Sequence, residues 1–88
     1  MLLLYDFVPD YLERRASLRE DHLRLIRQTA EIAMAGAHDD DGAFDGAAFV
    51  FATDDRDRVQ RFAEADPYVQ HGLVTRFRIR RWNLVIGG

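Results

Sequence analysis

The chain has 88 residues, of which 48% are hydrophobic and 31% charged, and its formal net charge is −3. This composition is typical of one small globular domain, and the acidic balance disfavours nucleic acid or an anionic membrane as the main partner. The chain has no cysteine, no lysine and one serine, Ser17, so disulfides, thiolate nucleophiles and Schiff-base lysines are excluded. Catalysis would have to use histidine, carboxylates, tyrosine and arginine.

The sequence carries no signal for export or membrane insertion. No apolar run is long enough to cross a bilayer. The first residues, "MLLLYDFV", lack a basic start and are too short for the apolar region of a signal peptide. We therefore expect a cytoplasmic protein without a membrane partner.

The first half of the chain predicts a strand, a long helix and a short second strand. The apolar run before Pro9 is typical of a strand, and Asp10 is placed to cap the helix that follows. Apolar residues recur at helical spacing from Leu12 to about Met34. Gly36 suits the end of this helix or the strand just after it, and we expect that strand near Met34–His38.

The second half predicts a loop, a strand, a helix, a single turn and a long last strand. The acidic segment "HDDDGAFDG" is typical of a loop, and "AAFVF" of a strand. The segment "TDDRDRVQRFAEA" starts with capping residues and predicts a helix. The final segment, "LVTRFRIRRWNLVI", predicts one strand whose apolar phase shifts near Arg80–Arg81, which indicates a bulge or a bend.

This β-α-β-β-α-β order predicts a single α+β domain over residues 1–88 with a ferredoxin-like antiparallel sheet. The first strand is apolar on both faces, because Leu2 and Leu4 alternate with Leu3, Tyr5 and Phe7. Two helices can cover only one face of the sheet. We therefore expect a homodimer that forms through the other face.

Arg19 and His22 are the chemically informative residues of the first helix. Their spacing of three makes them neighbours on the helix surface, and both fall on or beside its apolar stripe. An unpaired charge buried there would be unfavourable, so Arg19 either extends to solvent or a nearby carboxylate, or lines a pocket with His22. For His22 alone, a satisfied histidine at the edge of the core is the simpler interpretation.

The stretch "EADPYVQHGLV" contains an Asp66-Pro67 pair with two compatible interpretations. Aspartate is favoured as a helix N-cap and proline as the first helical residue, so "DPYVQHG" is typical of one capped turn closed by Gly72. A capping carboxylate can also face a pocket and orient a histidine.

Several of these motifs together resemble the YciI-like family. They are "LREDHL" in the first helix, Gly36 after it, and "AEADPYVQHGLV" before the last strand. The resemblance covers nearly the whole chain and departs from the family in the loop "AHDDDGAFDG", which leaves the substrate open. It implies a ferredoxin-like fold and a dimer similar to that of muconolactone isomerase. We expect no cofactor.

The resemblance also implies a site. The family's proposed acid–base pair corresponds to His22 and Asp66, with Arg19 and Tyr68 matching the residues expected to bind substrate. Tyr5 of the first strand could close the pocket or donate a hydrogen bond. Some similar proteins isomerise or eliminate from hydroxylated or chlorinated aromatic rings, which predicts proton transfer on a small anionic or phenolic metabolite.

Three other functions compete with this hypothesis. The acidic loop, His38 and His71 could hold a metal, but the loop lacks the alternating ligands of an EF-hand. Arg76, Arg78 and Arg80 share one face of the last strand and could contact RNA, but the RNP1 pattern of RNA-binding ferredoxin-like domains is absent and the charge balance is acidic. The serious alternative is a dimeric small-ligand-binding or accessory module without catalysis, because fold does not determine function.

Overall fold

The computed structural model describes residues 1–87, so Gly88 of the predicted domain lies outside the described residues. Within them, the elements are β1 (Leu2–Phe7), α1 (Tyr11–Arg14), α2 (Arg19–Gln28), β2 (Ile32–Asp40), β3 (Ala43–Phe51), α3 (Arg56–Ala65), α4 (Pro67–Gln70) and β4 (Val74–Arg80). The strands form an antiparallel sheet in the order β2-β3-β1-β4. The predicted α+β ferredoxin-like fold is confirmed.

The two faces of the sheet differ in burial. In β1, Leu3, Tyr5 and Phe7 are buried, whereas Leu2 and Leu4 are only partly buried. The core lies between the helices and the sheet face that carries Leu3, Tyr5 and Phe7. Its largest fully buried side chains are Tyr5, Tyr68, Phe49, Phe51, Phe62, Leu3, Leu73, Val59 and Asp66. The second face, which we call the open face, carries no helix among residues 1–87.

The prediction of one long helix from Leu12 to Met34 is wrong. The segment forms α1, a turn, α2 and the first residues of β2. Asp10 precedes α1 but makes no side-chain cap. Thr29 ends α2 in an extended conformation, and its hydroxyl donates to the Leu25 carbonyl at 2.6 Å. The alanines that follow favour a helix locally, but pairing with β3 overrides that preference.

The predicted acidic loop is also mostly strand. β2 and β3 pair as far as Asp40 opposite Ala43, so only Asp41 and Gly42 form the turn. Their φ angles of 53° and 90° suit the two-residue turn that matches the twist of a hairpin. Asp-Gly is a preferred pair in such turns. Here it determines the local structure, a tight hairpin, although the acidic residues around it are typical of a longer loop.

The predicted last strand is too long. β4 ends at Arg80, which lies opposite Leu2 at the start of β1, so the chain beyond it has no neighbouring strand within residues 1–87. The pairing of β1 with β4 is irregular between Asp6 and Phe7, not near Arg81. The apolar side chains that follow β4 are exposed, and they are Trp82, Leu84, Val85 and Ile86.

Gly46 is a glycine that the packing requires. A Cβ there would collide with the Tyr5 carbonyl and lie 2.7 Å from the His38 ring, whereas a Cβ at Gly36 would meet nothing within 4 Å. We expect Gly46→Ala to lower the free energy of unfolding by about 1–3 kcal/mol, the usual effect of overpacking. Gly36→Ala is the matched control and should change it by less than about 1 kcal/mol. Urea unfolding measures both, and equal stabilities would contradict this account.

No helix within residues 1–87 is long and apolar enough to cross a membrane. The cytoplasmic location remains a prediction.

Candidate active site

His22 lies near the start of α2 and faces the interior. The residue is 8% exposed, and its Nδ1 lies 2.8 Å from Oδ1 of Asp66. α2 contacts α4, the short helix that Asp66 precedes. The fold thus joins two residues that are 44 positions apart in the sequence.

Asp66 is the centre of a buried hydrogen-bond network. Its carboxylate is fully buried. Oδ1 accepts from the Tyr68 backbone N–H at 3.0 Å and contacts His22, and Oδ2 accepts from the Tyr5 hydroxyl at 2.7 Å. Three donors compensate for the burial of a charge that would otherwise be unfavourable. Asp66 is therefore both the predicted N-cap and the partner of His22.

This network determines which nitrogen of His22 is available. An ionised carboxylate only accepts hydrogen bonds, so Nδ1 is the nitrogen that carries hydrogen in the contact with Asp66. In neutral imidazole the other nitrogen, Nε2, is then the basic one. Such a histidine can take a proton at Nε2, and the carboxylate hydrogen-bonded to Nδ1 then stabilises the positive charge of the imidazolium.

Two tyrosines surround the pair. Tyr68 stacks on His22, with ring centroids 3.7 Å apart and an angle of 8° between the planes. The pKa of Tyr68 is raised, mainly by burial and to a smaller extent by the neighbouring Tyr11 hydroxyl. The pKa of Tyr5 is also raised, mainly by burial and to a smaller extent by the negative charge of Asp66. Both hydroxyls therefore stay protonated at neutral pH and can act as donors.

His22 and Tyr68 line a cavity of about 270 Å³ between α2 and the sheet. Its apolar wall includes Phe49, Ala47 and Ala35 of the sheet, and Leu23 and Ile26 of α2. A 150 Å³ apolar cavity accepts benzene, so this volume suits one substituted ring. The polar groups lie on the helical side and the apolar ones mainly on the sheet.

A cavity of about 380 Å³ lies nearby, between the β1–α1 connection and the β2–β3 hairpin. Its charged lining residues are the acids Glu13 and Asp45, and none of the predicted site residues line it. It is larger, but it has no histidine and no cation to bind an anionic substrate, so the cavity at His22 is the better candidate.

Four of the five predicted site residues meet at this cavity or directly behind it. Arg19, His22 and Tyr68 line it, and Asp66 supports His22. Tyr5 is different, because it is fully buried behind Asp66 and is not among the lining residues. The structure therefore places Tyr5 where it can position the carboxylate, not where it can touch a ligand.

Arg15 and Tyr11, which were not predicted as site residues, also line the cavity. A signal for Arg15 was present, since it precedes Arg19 by four residues, the spacing of neighbours on a helix. Tyr11 was harder to find, because the predicted long helix started after it.

The residues behind the competing hypotheses make local contacts. His38 Nδ1 lies 2.9 Å from Asp45 Oδ1, and no cluster of three or more metal-ligating side chains occurs in the described part of the chain. Arg78 of the last strand lies 3.9 Å from Asp6 of β1.

The profile of the YCII-related domain matches residues 1–83. The chain belongs to this family. No curated protein is significantly similar to the chain. A solved structure is similar: 5-chloro-2-hydroxyhydroquinone dehydrochlorinase (TftG) from Burkholderia phenoliruptrix, in complex with 2,5-dihydroxybenzoquinone. The two chains share 26% identity over 94% of each, with a TM-score of 0.76. The similar protein is thus a small-molecule enzyme of the elimination type.

Proposed function

We propose that this protein is an enzyme that transfers a proton at His22 during elimination from, or isomerisation of, a small anionic or phenolic ring compound. The observation that carries the proposal is the buried 2.8 Å contact between His22 Nδ1 and Asp66 Oδ1 beside a ring-sized cavity. The similarity to a dehydrochlorinase supports elimination as the reaction to test first.

The proposed roles follow from the geometry. His22 accepts the substrate proton at Nε2, and Asp66 stabilises the imidazolium that forms. In a dehydrochlorination, His22 takes a proton from the carbon next to the chlorinated carbon in a non-aromatic keto tautomer of the ring. The electron pair of that C–H bond forms the new C=C bond, and chloride leaves with the electron pair of the C–Cl bond. Arg19 binds the ionised oxygen of the substrate, and Tyr68 forms a wall and a donor. Tyr5 acts as a positioning residue through Asp66. These steps use side chains alone and no cofactor.

The test is to supply 5-chloro-2-hydroxyhydroquinone, other halogenated or hydroxylated aromatics and muconolactone-like lactones to the purified protein. Chloride release and the change in ring absorbance measure turnover. Turnover that depends on His22 is the expected result. Saturable binding without turnover across the set would contradict catalysis and favour the alternative, a dimeric small-ligand-binding or accessory module.

We also propose that the protein is a homodimer formed through the open face. Leu2, Leu4 and Val50 are only partly buried there, and Met34 beside them is 65% exposed. On the same face, Arg78 Nε is buried without a hydrogen-bond partner among residues 1–87. A second copy would cover the apolar side chains and could supply an acceptor.

Light scattering at micromolar concentration should give about twice the chain mass of 10.2 kDa. Val50→Asp should produce a monomer, because it would bury a charge in the interface. Leu12→Asp is the control, since Leu12 is exposed on α1, and it should remain dimeric. A monomeric wild-type protein would contradict the proposed assembly.

A further inference from the structure

Two guanidinium groups line the cavity without carboxylate partners. Arg15 and Arg19 are among its lining residues, and none of the lining residues is acidic. Within residues 1–87, neither side chain makes an ion pair or a hydrogen bond. Arg14, the neighbour of Arg15, differs, because it lies 3.7 Å from Asp10 and donates to the His71 carbonyl. The cavity is therefore basic in a protein whose net charge is −3.

The position of Arg15 is supported by aromatic rings. Its guanidinium carbon lies 5.5 Å from the centroid of the Tyr11 ring, within the range of a cation–π interaction. Tyr11 is buried and stacks on Phe7, with centroids 3.8 Å apart and planes 4° apart. A cation–π interaction uses none of the guanidinium N–H groups as hydrogen-bond donors to oxygen, so Arg15 can still bind a carboxylate through them.

We propose that Arg15 is a second anion-binding residue and that the substrate is a single ring carrying two ionised oxygen substituents, one for Arg15 and one for Arg19. The proposal rests on the proposed function for the location of the site, but not for the reaction. Two unpaired cations favour two anionic groups, and the volume of about 270 Å³ leaves room for one ring between the apolar walls.

This arrangement selects for charge as well as for shape. A ring with one anionic group would satisfy one arginine and leave the other without a partner. A ring with two would form charge-assisted hydrogen bonds with both, which are stronger than neutral ones. Removing the charge of Arg15 should therefore weaken the preference for a dianion more than it weakens the binding of the ring.

The test uses the three benzenedicarboxylates as dianionic probes and the three carbamoylbenzoates as monoanions of nearly the same shape. Titration calorimetry at fixed ionic strength measures the dissociation constants. The wild-type protein should bind the best dicarboxylate about tenfold or more tightly than its carbamoyl counterpart. Arg15→Gln should reduce this ratio to about twofold or less, whereas Arg14→Gln should preserve it.

Each outcome decides the proposal. An unchanged ratio in Arg15→Gln, a wild-type ratio near one, or no measurable binding of any dicarboxylate would overturn it. An equal loss in Arg14→Gln would also overturn it, because the effect would then reflect net charge alone. If the Arg15-dependent preference holds and no substrate is turned over, the second anion site stands and the proposed reaction fails.

Discussion

We expect His22→Ala to lower the rate of the proposed reaction by about 10²–10⁴-fold, which is the usual contribution of a positioned acid–base group. Within residues 1–87, His22 is the basic side chain that both lines the cavity and contacts a buried carboxylate. The arginines beside it stay protonated and cannot act as a base at neutral pH. The loss should appear in kcat and not in KM, because the substrate ring contacts the same cavity walls in the wild-type protein and in His22→Ala.

A more conservative change separates the base from the hydrogen bond. In His22→Asn the amide nitrogen can replace Nδ1 as donor to Asp66, but no basic nitrogen remains. His22→Asn should be as inactive as His22→Ala, and its free energy of unfolding in urea should be higher than that of His22→Ala. Arg24→Ala is a control on the same helix, because Arg24 is exposed and pairs with Asp21 at 2.8 Å. A wild-type rate in either His22 variant would show that the base lies elsewhere.

The sequence predicted the parts of the fold that local pattern determines. The apolar strands β1 and β3 and a cap at the start of "TDDRDRVQRFAEA" were visible in it, and the structure shows that Asp55 is the capping residue, which accepts from the backbone N–H groups of Asp57 and Arg58. It did not predict the length of β2. Nearly every residue of that strand is exposed, so the pattern carries no alternation of burial, and pairing with β3 alone defines it.

The site was predicted in a similar way, in part by local chemistry and in part by resemblance. Asp66 was identifiable as a cap because Pro67 follows it. Its contact with His22 could be expected only from the family, because the two residues come from different helices. The position of Tyr5 behind Asp66 depends on a hydrogen bond across 61 residues. No spacing rule could distinguish that position from one inside the cavity.

Asp66→Ala should be among the most destabilising single changes to this site. It removes the acceptor of the Tyr5 hydroxyl, the Tyr68 N–H and His22 Nδ1, all of them buried. A buried donor left without a partner costs about 1–3 kcal/mol. With three such donors, we expect a loss of at least about 3 kcal/mol, a large part of the 5–15 kcal/mol typical of a whole domain. Urea unfolding measures this loss.

Asp66→Asn distinguishes the charge of this residue from its geometry. The amide oxygen can still accept from Tyr68 and His22, and the amide nitrogen can donate to the Tyr5 oxygen. Asparagine also caps about as well as aspartate. Only the Tyr5 hydroxyl hydrogen loses its acceptor. We therefore expect the free energy of unfolding to fall by about 1–3 kcal/mol, less than in Asp66→Ala.

The rate should nevertheless fall in Asp66→Asn. A neutral amide stabilises the imidazolium of His22 less than a carboxylate does, and hydrogen bonds to charged groups contribute about 1.5–3 kcal/mol. Losing that contribution in the transition state corresponds to about 10–100-fold in kcat. Tyr5→Phe is the comparison, since it keeps the charge and removes one donor to Asp66, so it should lower stability more than rate. A fully active Asp66→Asn enzyme would show that Asp66 only caps α4, because the variant keeps the cap and loses the charge.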